Sequence, residues 1–308
     1  AYEILSGLVG SEMCIRDIAI GGGASGSSGV NATFSVTGGT FVAGTWNTLA
    51  AGDTNTVSMT IGGTADVTLP AFPTAHGTGT TTTLYFDGGT LRNAAASTTY
   101  ISNLTNAYIK AGGATFNTNN GDITVSQSLL TDAVSTGGGL TKAGTGVLTL
   151  TGSNTFTGVT TITSGTLNLG SAYAIAGGGS VTFTGGTLQL GTIGATYSNA
   201  VANSTSTMLI DTNTNSGTLS GDILSSNTAG LLKFGLGTLT LSGNNGYTGT
   251  TYIDAGTLTL GSANALAGGG NVTFRGGTLQ YTASNTSDLS SRIANSVGSM
   301  AIDTNGQD

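Results

Sequence analysis

Asp211, Asn213 and Asn215 stand at alternate positions of one short run, with Asp222 further on. Oxygen donors at that spacing are what an EF-hand type of loop uses to hold calcium. The glycine such a loop needs comes one place late, at Gly217, and strand-like residues flank the run. A second occurrence, Asp303-Thr304-Asn305, runs straight into Gly306, and the calcium-roll pattern G-G-x-G-x-D is missing. Turn capping is the better reading, because Asp and Asn side chains hydrogen-bond their own backbone two residues on.

Paired carboxylates could instead cleave a glycosidic bond. Asp53, Asp66, Asp87, Asp122 and Asp132 are spread out, with only Arg92 and Lys110 as basic neighbours. A nucleophilic triad needs a base, and His76 is the single histidine, set in a stretch (70–83) that also holds both prolines and a threonine run. That stretch reads as a loop leaving the body of the fold. A zinc site needs clustered His or Cys, which one histidine and one cysteine, Cys14, cannot supply. Lys142 and Lys233 occupy equivalent places just before a strand and read as edge or turn charges that discourage lateral sheet pairing. The sequons at Asn31, Asn103, Asn203 and Asn285 are what a chain rich in Asn and Thr produces by chance. No catalytic residue, cofactor-binding residue or metal ligand is assigned, and no cofactor is expected.

The elements around these residues are written twice. The block 139–190 recurs as 230–281 without a gap, with roughly two-thirds of positions identical. Met208-Leu209-Ile210-Asp211-Thr212-Asn213 recurs as Met300-Ala301-Ile302-Asp303-Thr304-Asn305 after one inserted residue. Leu148/Leu150, Leu167/Leu169, Val181/Phe183, Leu188/Leu190 and Leu258/Leu260 alternate with Thr or other polar residues. A period of two with one apolar side is a half-buried strand. Gly146, Gly165, Gly186, Gly217, Gly237, Gly256 and Gly277 each precede such a strand, mostly at intervals of about 20 residues. Positive φ is cheap for Gly and next cheapest for Asn, so these glycines, with Asn154, Asn244 and Asn245, are expected at left-handed corners. A unit of that length holds two or three short strands, one coil of a parallel β-helix, with about four coils to the long repeat. At one strand spacing per coil, the region from Ile18 onward would make a rod on the order of 60 Å long. Phe86-Asp87-Gly88-Gly89-Thr90-Leu91 and, more weakly, Val36–Phe41 and Ile61–Thr64 resemble Phe183–Leu188, so the first half is a degenerate form of the same texture. Ser171–Ala176 and Ser262–Ala267 allow one helical turn each at most.

Charged residues make up only 7% of the chain, and net charge is −7. The few basic residues are scattered singly and cannot track a phosphate backbone, which excludes nucleic acid as a partner. No run approaches the roughly 18 apolar residues of a membrane helix. Residues 1–17 hold both glutamates and the lone cysteine, lack the form of a signal peptide, and read as a non-native or assembly-artefact segment.

The run L-x-K-x-G-x-G-x-L-x-L-(S/T)-G-x-N-x-(F/Y)-T-G-x-T-x-I-x-x-G-T-L-x-L-G stands at Leu140–Gly170 and again at Leu231–Gly261. It closely resembles the autotransporter-associated β-strand repeat, also called the passenger-associated transport repeat. The resemblance implies a β-helical passenger of a bacterial surface protein of the type V secretion class. It implies an extracellular or outer-membrane-associated location, and surface glycans or host-cell ligands as partners. It also implies a translocator barrel outside these residues and no membrane insertion by them. The expected organisation is then 18–138 as degenerate coils with a loop near 70–83, 139–229 as a first passenger repeat and 230–308 as a second, truncated one. The fold class is all-β, a parallel β-solenoid. The functional expectation is a structural stalk, with an adhesive role open to it and without catalysis. The competing readings are a polysaccharide-active β-helix enzyme, which needs a carboxylate and Lys/Arg cluster on one flank, and a surface binder or adhesin using a flat Thr-x-Thr array.

Overall fold

A computed structural model describes residues 2–3, 12–20, 31–48, 56–72 and 79–306. It divides into two units, 1–158 and 159–308. Both are built from short parallel strands, and the fold is the expected β-solenoid. The boundary between units falls inside the first copy of the repeat, not at its start.

In the first unit the chain visits three sheets in turn. Sheet I stacks Tyr2–Glu3, Asn31–Val36, Thr56–Gly62, Thr81–Asp87, Asn106–Ile109 and Leu129–Thr131. Sheet II stacks Glu12–Ile20, Thr40–Thr48, Asp66–Leu69, Thr90–Asn93, Ala114–Asn117 and Leu140–Ala143. Sheet III stacks Ser97–Ile101, Ile123–Val125 and Val147–Leu150. Coils here are longer than the glycine spacing leads one to expect. The shortest step along sheet I takes Ala107 to Leu129, and the longest takes Tyr2 to Ala32. Glu12–Asp17, set apart in the sequence by composition, belongs to a strand paired with Thr40–Thr48. The stretch 70–83 is a loop only in part. Phe72 donates its N–H to Tyr100 O at 2.8 Å and meets that ring edge-on, and Thr81 already begins a strand.

The second unit also has three sheets. Sheet IV pairs Thr160–Ile162 with Val181–Phe183 and continues through bridges at Val201 and Ile223. Sheet V stacks Thr166–Leu169, Thr187–Leu190, Met208–Asp211, Leu231–Phe234, Thr251–Ile253 and Val272–Phe274. Sheet VI stacks Ala195–Tyr197, Gly217–Leu219, Thr238–Leu241, Thr257–Leu260, Thr278–Gln280 and Ala301–Asp303. Coils in this unit keep close to the expected length, as the steps from Ile210 to Lys233 and from Lys233 to Ile253 show. The long repeat does not close on whole coils. Thr160–Ile162 lies in sheet IV, but its second copy Thr251–Ile253 lies in sheet V. Thr166–Leu169, Thr187–Leu190 and Met208–Asp211 lie in sheet V, but their second copies Thr257–Leu260, Thr278–Gln280 and Ala301–Asp303 lie in sheet VI. The repeat is therefore four coils plus one side.

Inward side chains form rows along the stack. Phe41, Val67, Leu91 and Phe116 make one row of sheet II, and Leu167, Leu188 and Ile210 begin one of sheet V. Nearly all are fully buried, each contributing about 1.5–3 kcal/mol. Alternation of two fixes the facing, and Thr, Asn or Gln takes the outer positions. Among the described residues the one helix is a single 3-10 turn, Ser290–Arg292, and Ser171–Ala176 and Ser262–Ala267 are turns.

Most of the glycines expected at left-handed corners are not there for that reason. Of the seven, only Gly165 and Gly256 have positive φ. Gly146, Gly186, Gly237 and Gly277 are instead set by close approach of the neighbouring coil: a Cβ on Gly237 would lie 1.6 Å from Asn215 O, and one on Gly186 would lie 2.6 Å from Ile162 Cγ2. Among the described residues the left-handed asparagines are Asn103, Asn203, Asn213, Asn295 and Asn305, not Asn154, Asn244 or Asn245. Gly237→Ala should therefore lower the urea midpoint far more than Gly178→Ala. The latter has positive φ with open space around it and costs about 1 kcal/mol, whereas Gly237→Ala must displace backbone at roughly 3 kcal/mol or more. Equal shifts would refute the crowding argument.

Candidate functional site

The Asp211–Asn215 run is a capped turn. Asp211 Oδ1 accepts from Asn213 N at 2.7 Å, and its Oδ2 accepts from Gln189 Nε2 at 2.8 Å. Asn213 takes a left-handed conformation, and Asn215 Nδ2 donates to Leu190 O at 2.9 Å. Asp222 is engaged elsewhere, accepting from Asn244 N at 2.7 Å. The second copy repeats the device: Asp303 accepts from Asn305 N at 2.8 Å and from Gln280 Nε2 at 2.9 Å. Asp211's oxygens and Asn215's amide nitrogen are thus committed to the local backbone and to the preceding coil.

The other carboxylates are used similarly. Asp87 accepts from Gly112 N, Asp122 from Val147 N, and Asp132 from Val134 N and Ser135 N, at 2.7 to 3.1 Å. Asp66 pairs with Arg92 across adjacent strands of sheet II at 2.5 Å. Asp53 and His76 lie outside the described residues. Among the described residues of that set the structure joins one pair, Asp66 with Arg92, as partners of opposite charge. Among the described residues no group of three His, Cys, Asp or Glu is placed to hold a metal ion.

Lys142 and Lys233 are not edge charges. Both are 0% exposed. Each occupies a slot in an apolar row: Lys142 follows Phe116, and Lys233 sits between Ile210 and Ile253. Lys233 Nζ donates to Thr212 Oγ1 at 2.8 Å, Gly235 O at 2.7 Å, Ala255 O at 2.9 Å and Phe234 O at 3.1 Å. These acceptors come from three successive coils. Lys142 Nζ donates to Ala143 O at 2.9 Å and Gly144 O at 2.8 Å. Gly144 and Gly235 have φ of 80° and 79°, which closes the turn over the ammonium. The signal was present in the sequence. Lys142 shares its parity with Leu140, and Lys233 with Leu231, so strict alternation points both inward.

Burial pushes both ammonium groups down to about 8, with Asp122 and Asp211 pulling them partly back up. Burial also raises Tyr197 and Tyr247 to about 12. Sequence reasoning also missed a set of buried amides. Asn199 Nδ2 donates to Ile175 O and Gly179 O, Asn227 Nδ2 to Val201 O and Leu224 O, and Asn245 Nδ2 to Ala265 O. Asn154 and Asn245 also accept from the N–H of Leu129 and Ile223 one coil back. They bind coil to coil where turns would otherwise leave backbone groups unpaired.

The profile of the passenger-associated-transport-repeat family matches residues 140–169, 231–260 and 254–280. The chain is 35% identical over 214 residues to the adhesin BmaC autotransporter of Brucella suis biovar 1 (strain 1330). That alignment covers 60% of this chain and 6% of the relative. No solved structure matches.

Lys233→Met strips the carbonyls of Phe234, Gly235 and Ala255 of their donor and should destabilise by roughly 2–4 kcal/mol in urea titration. A neutral result would remove the lysine from the set of structural ties. Stability should also depend on pH. The folded lysines titrate below their ordinary 10.5. Between about 8 and 10.5 the unfolded chain holds more protons, so stability rises with pH. The tyrosines titrate above their ordinary 10, so beyond pH 10 the unfolded chain loses protons first and stability falls. Urea midpoints should peak near roughly pH 10, and the rise should flatten in the Lys142→Met/Lys233→Met variant.

Proposed function

We propose that this chain, which carries passenger-associated-transport repeats, is a stalk segment of a surface-exposed or secreted bacterial passenger. It holds an adhesive part away from the cell or offers its own flank for adhesion, and it performs no catalysis. The observation that carries this is the use to which the polar side chains are put. Asp211, Asp303, the buried asparagines and Lys233 tie their coils to neighbouring ones. The copies differ mostly at outward positions, which supports a repeat selected as scaffold. Similarity to an autotransporter adhesin supports the surface location and the adhesive class of ligand, such as a glycan or host-cell component. A translocator barrel would lie elsewhere in the whole protein, as the far greater length of the matched relative allows.

The mechanism is mechanical. Each coil offers the next a full edge of N–H and C=O groups and an apolar end face, so coils add in register. Two measurements bear on this. Far-UV circular dichroism should give a β spectrum, and incubation with common polysaccharides should release no reducing ends. Turnover of any of them would replace the stalk reading with the enzyme reading, and a helical spectrum would remove both.

A further inference from the structure

One cysteine allows no disulfide within the chain, so its coils have no staple of the usual kind. Two outward tyrosines stand where another kind of staple can be made. Tyr85 and Tyr108 are register partners on adjacent strands of sheet I. Their chain neighbours Leu84, Phe86, Ala107 and Ile109 are fully or almost fully buried, whereas both tyrosines are half-buried on the outer face. Their rings stack, with centroids 5.6 Å apart and planes 18° from parallel. That separation lies within the range of offset-stacked pairs. Lys110 Nζ lies 4.8 Å from the centre of the Tyr85 ring, a cation–π contact that helps to hold it in place.

The other described tyrosines are placed differently. The row runs on to Thr60 on one side and Leu130 on the other, so neither ring has a second tyrosine beside it. Tyr100, Tyr197 and Tyr247 are buried. Tyr252 is covered by Arg275, Tyr281 donates its hydroxyl to Ser287 O, and Tyr173 is exposed on a turn. Among the described residues no other two tyrosine rings stack.

We propose that Tyr85 and Tyr108 form a modification site, at which hydrogen peroxide acting through a haem peroxidase joins them as dityrosine. One hydrogen atom leaves each phenol O–H, and one peroxide molecule takes both and is reduced to two waters. The two phenoxyl radicals pair their electrons in a new C–C bond between the ring carbons next to each C–O. The hydrogen on each of those carbons then moves to the phenol oxygen, which restores both rings. The protein ends two hydrogens lighter, with two adjacent coils covalently joined. Register is what makes this pair reactive toward each other. Equivalent atoms of side chains at paired positions of parallel strands start about 4.8 Å apart, so ring rotation alone brings the ortho carbons together. The inference goes beyond the stalk reading and does not rest on it, because it concerns a covalent change within the coils and not what the stack carries.

The whole chain at about 10 μM, treated with a haem peroxidase and limiting peroxide, tests it by intact mass, dityrosine fluorescence and peptide mapping. The monomer should lose two hydrogens, become fluorescent and map to a single link, Tyr85 to Tyr108. An effective concentration of mM or above for the paired rings should put this product at least about 100-fold over cross-linked dimers. Tyr85→Phe and Tyr108→Phe each keep a ring to stack but have no phenol O–H. Each should lose the internal link with its circular dichroism unchanged. The linked monomer should unfold at a higher urea midpoint than the untreated chain, because the staple closes a loop in the unfolded state. A wild type that forms no internal link, a link that maps to other tyrosines, or one that persists in either Phe variant overturns the proposal. So does a linked monomer whose midpoint is no higher, since a bond made within the native stack must restrict the unfolded chain. If one Phe variant fails to fold, the other and the mapped link decide.

Discussion

Every feature of this chain depends on one distance, the rise of a single strand spacing per coil. At about 4.8 Å each side chain touches the residue at the same place in the coil above and the coil below before it touches anything else. A row must therefore be compatible with itself. Rows of Leu, Ile, Val and Phe satisfy this by packing like on like. Turns satisfy it by removing side chains, which is why Gly186 and Gly237 are set against neighbouring coils that leave no room for a Cβ. The same spacing brings Asn245 Oδ1 within reach of Ile223 N and its Nδ2 within reach of Ala265 O, one coil on either side.

The mismatch between sequence repeat and coil follows from that constraint without being forbidden by it. Four coils and one side carry each strand of the first copy onto a different sheet in the second. This works only because the sheets are interchangeable in cross-section: an inward Ile162 on sheet IV and an inward Ile253 on sheet V meet equivalent surroundings. Identity between the copies is consequently a record of what any side of the solenoid requires. Outward residues face no such requirement, and there the copies diverge.

Much of this is legible in the sequence, and what is not has physical reasons. Alternation in Thr-Leu-Thr-Leu runs reveals strands and their facing, because a period of two is a local property. The Asx turn at Asp211 is legible because its bond to Asn213 is local too. Coil length in the first unit is not. The unequal steps from Ala107 to Leu129 and from Tyr2 to Ala32 reflect turns whose lengths no neighbouring residue dictates. The glycines are legible as turn residues, but their cause is not. Left-handed φ is a local demand, whereas crowding by Asn215 O against Gly237 exists only once the coils are stacked. The buried amides are hidden for the same reason, their partners lying about one coil away in sequence.

The lysines show how a stack without sequence-specific pairing still chooses its register. Rows of similar aliphatic residues tolerate a slip of one coil with little loss, which is a general weakness of repetitive sheets. A lysine in such a row does not. Lys233 is stable only where Thr212, Gly235 and Ala255 converge on its ammonium. One coil away it would keep Phe234 O and Gly235 O, which belong to its own turn, but lose Thr212 Oγ1 and Ala255 O, leaving a buried ammonium half satisfied at a cost of several kcal/mol. Relative to a wholly apolar row its net contribution is the roughly 2–4 kcal/mol expected for Lys233→Met, because the burial that drives it down to about 8 offsets much of what its hydrogen bonds supply. Its contribution to the difference between the correct stack and a slipped one is large. A buried charge can in this way both deepen the native state and fix which of several similar stacks that state is.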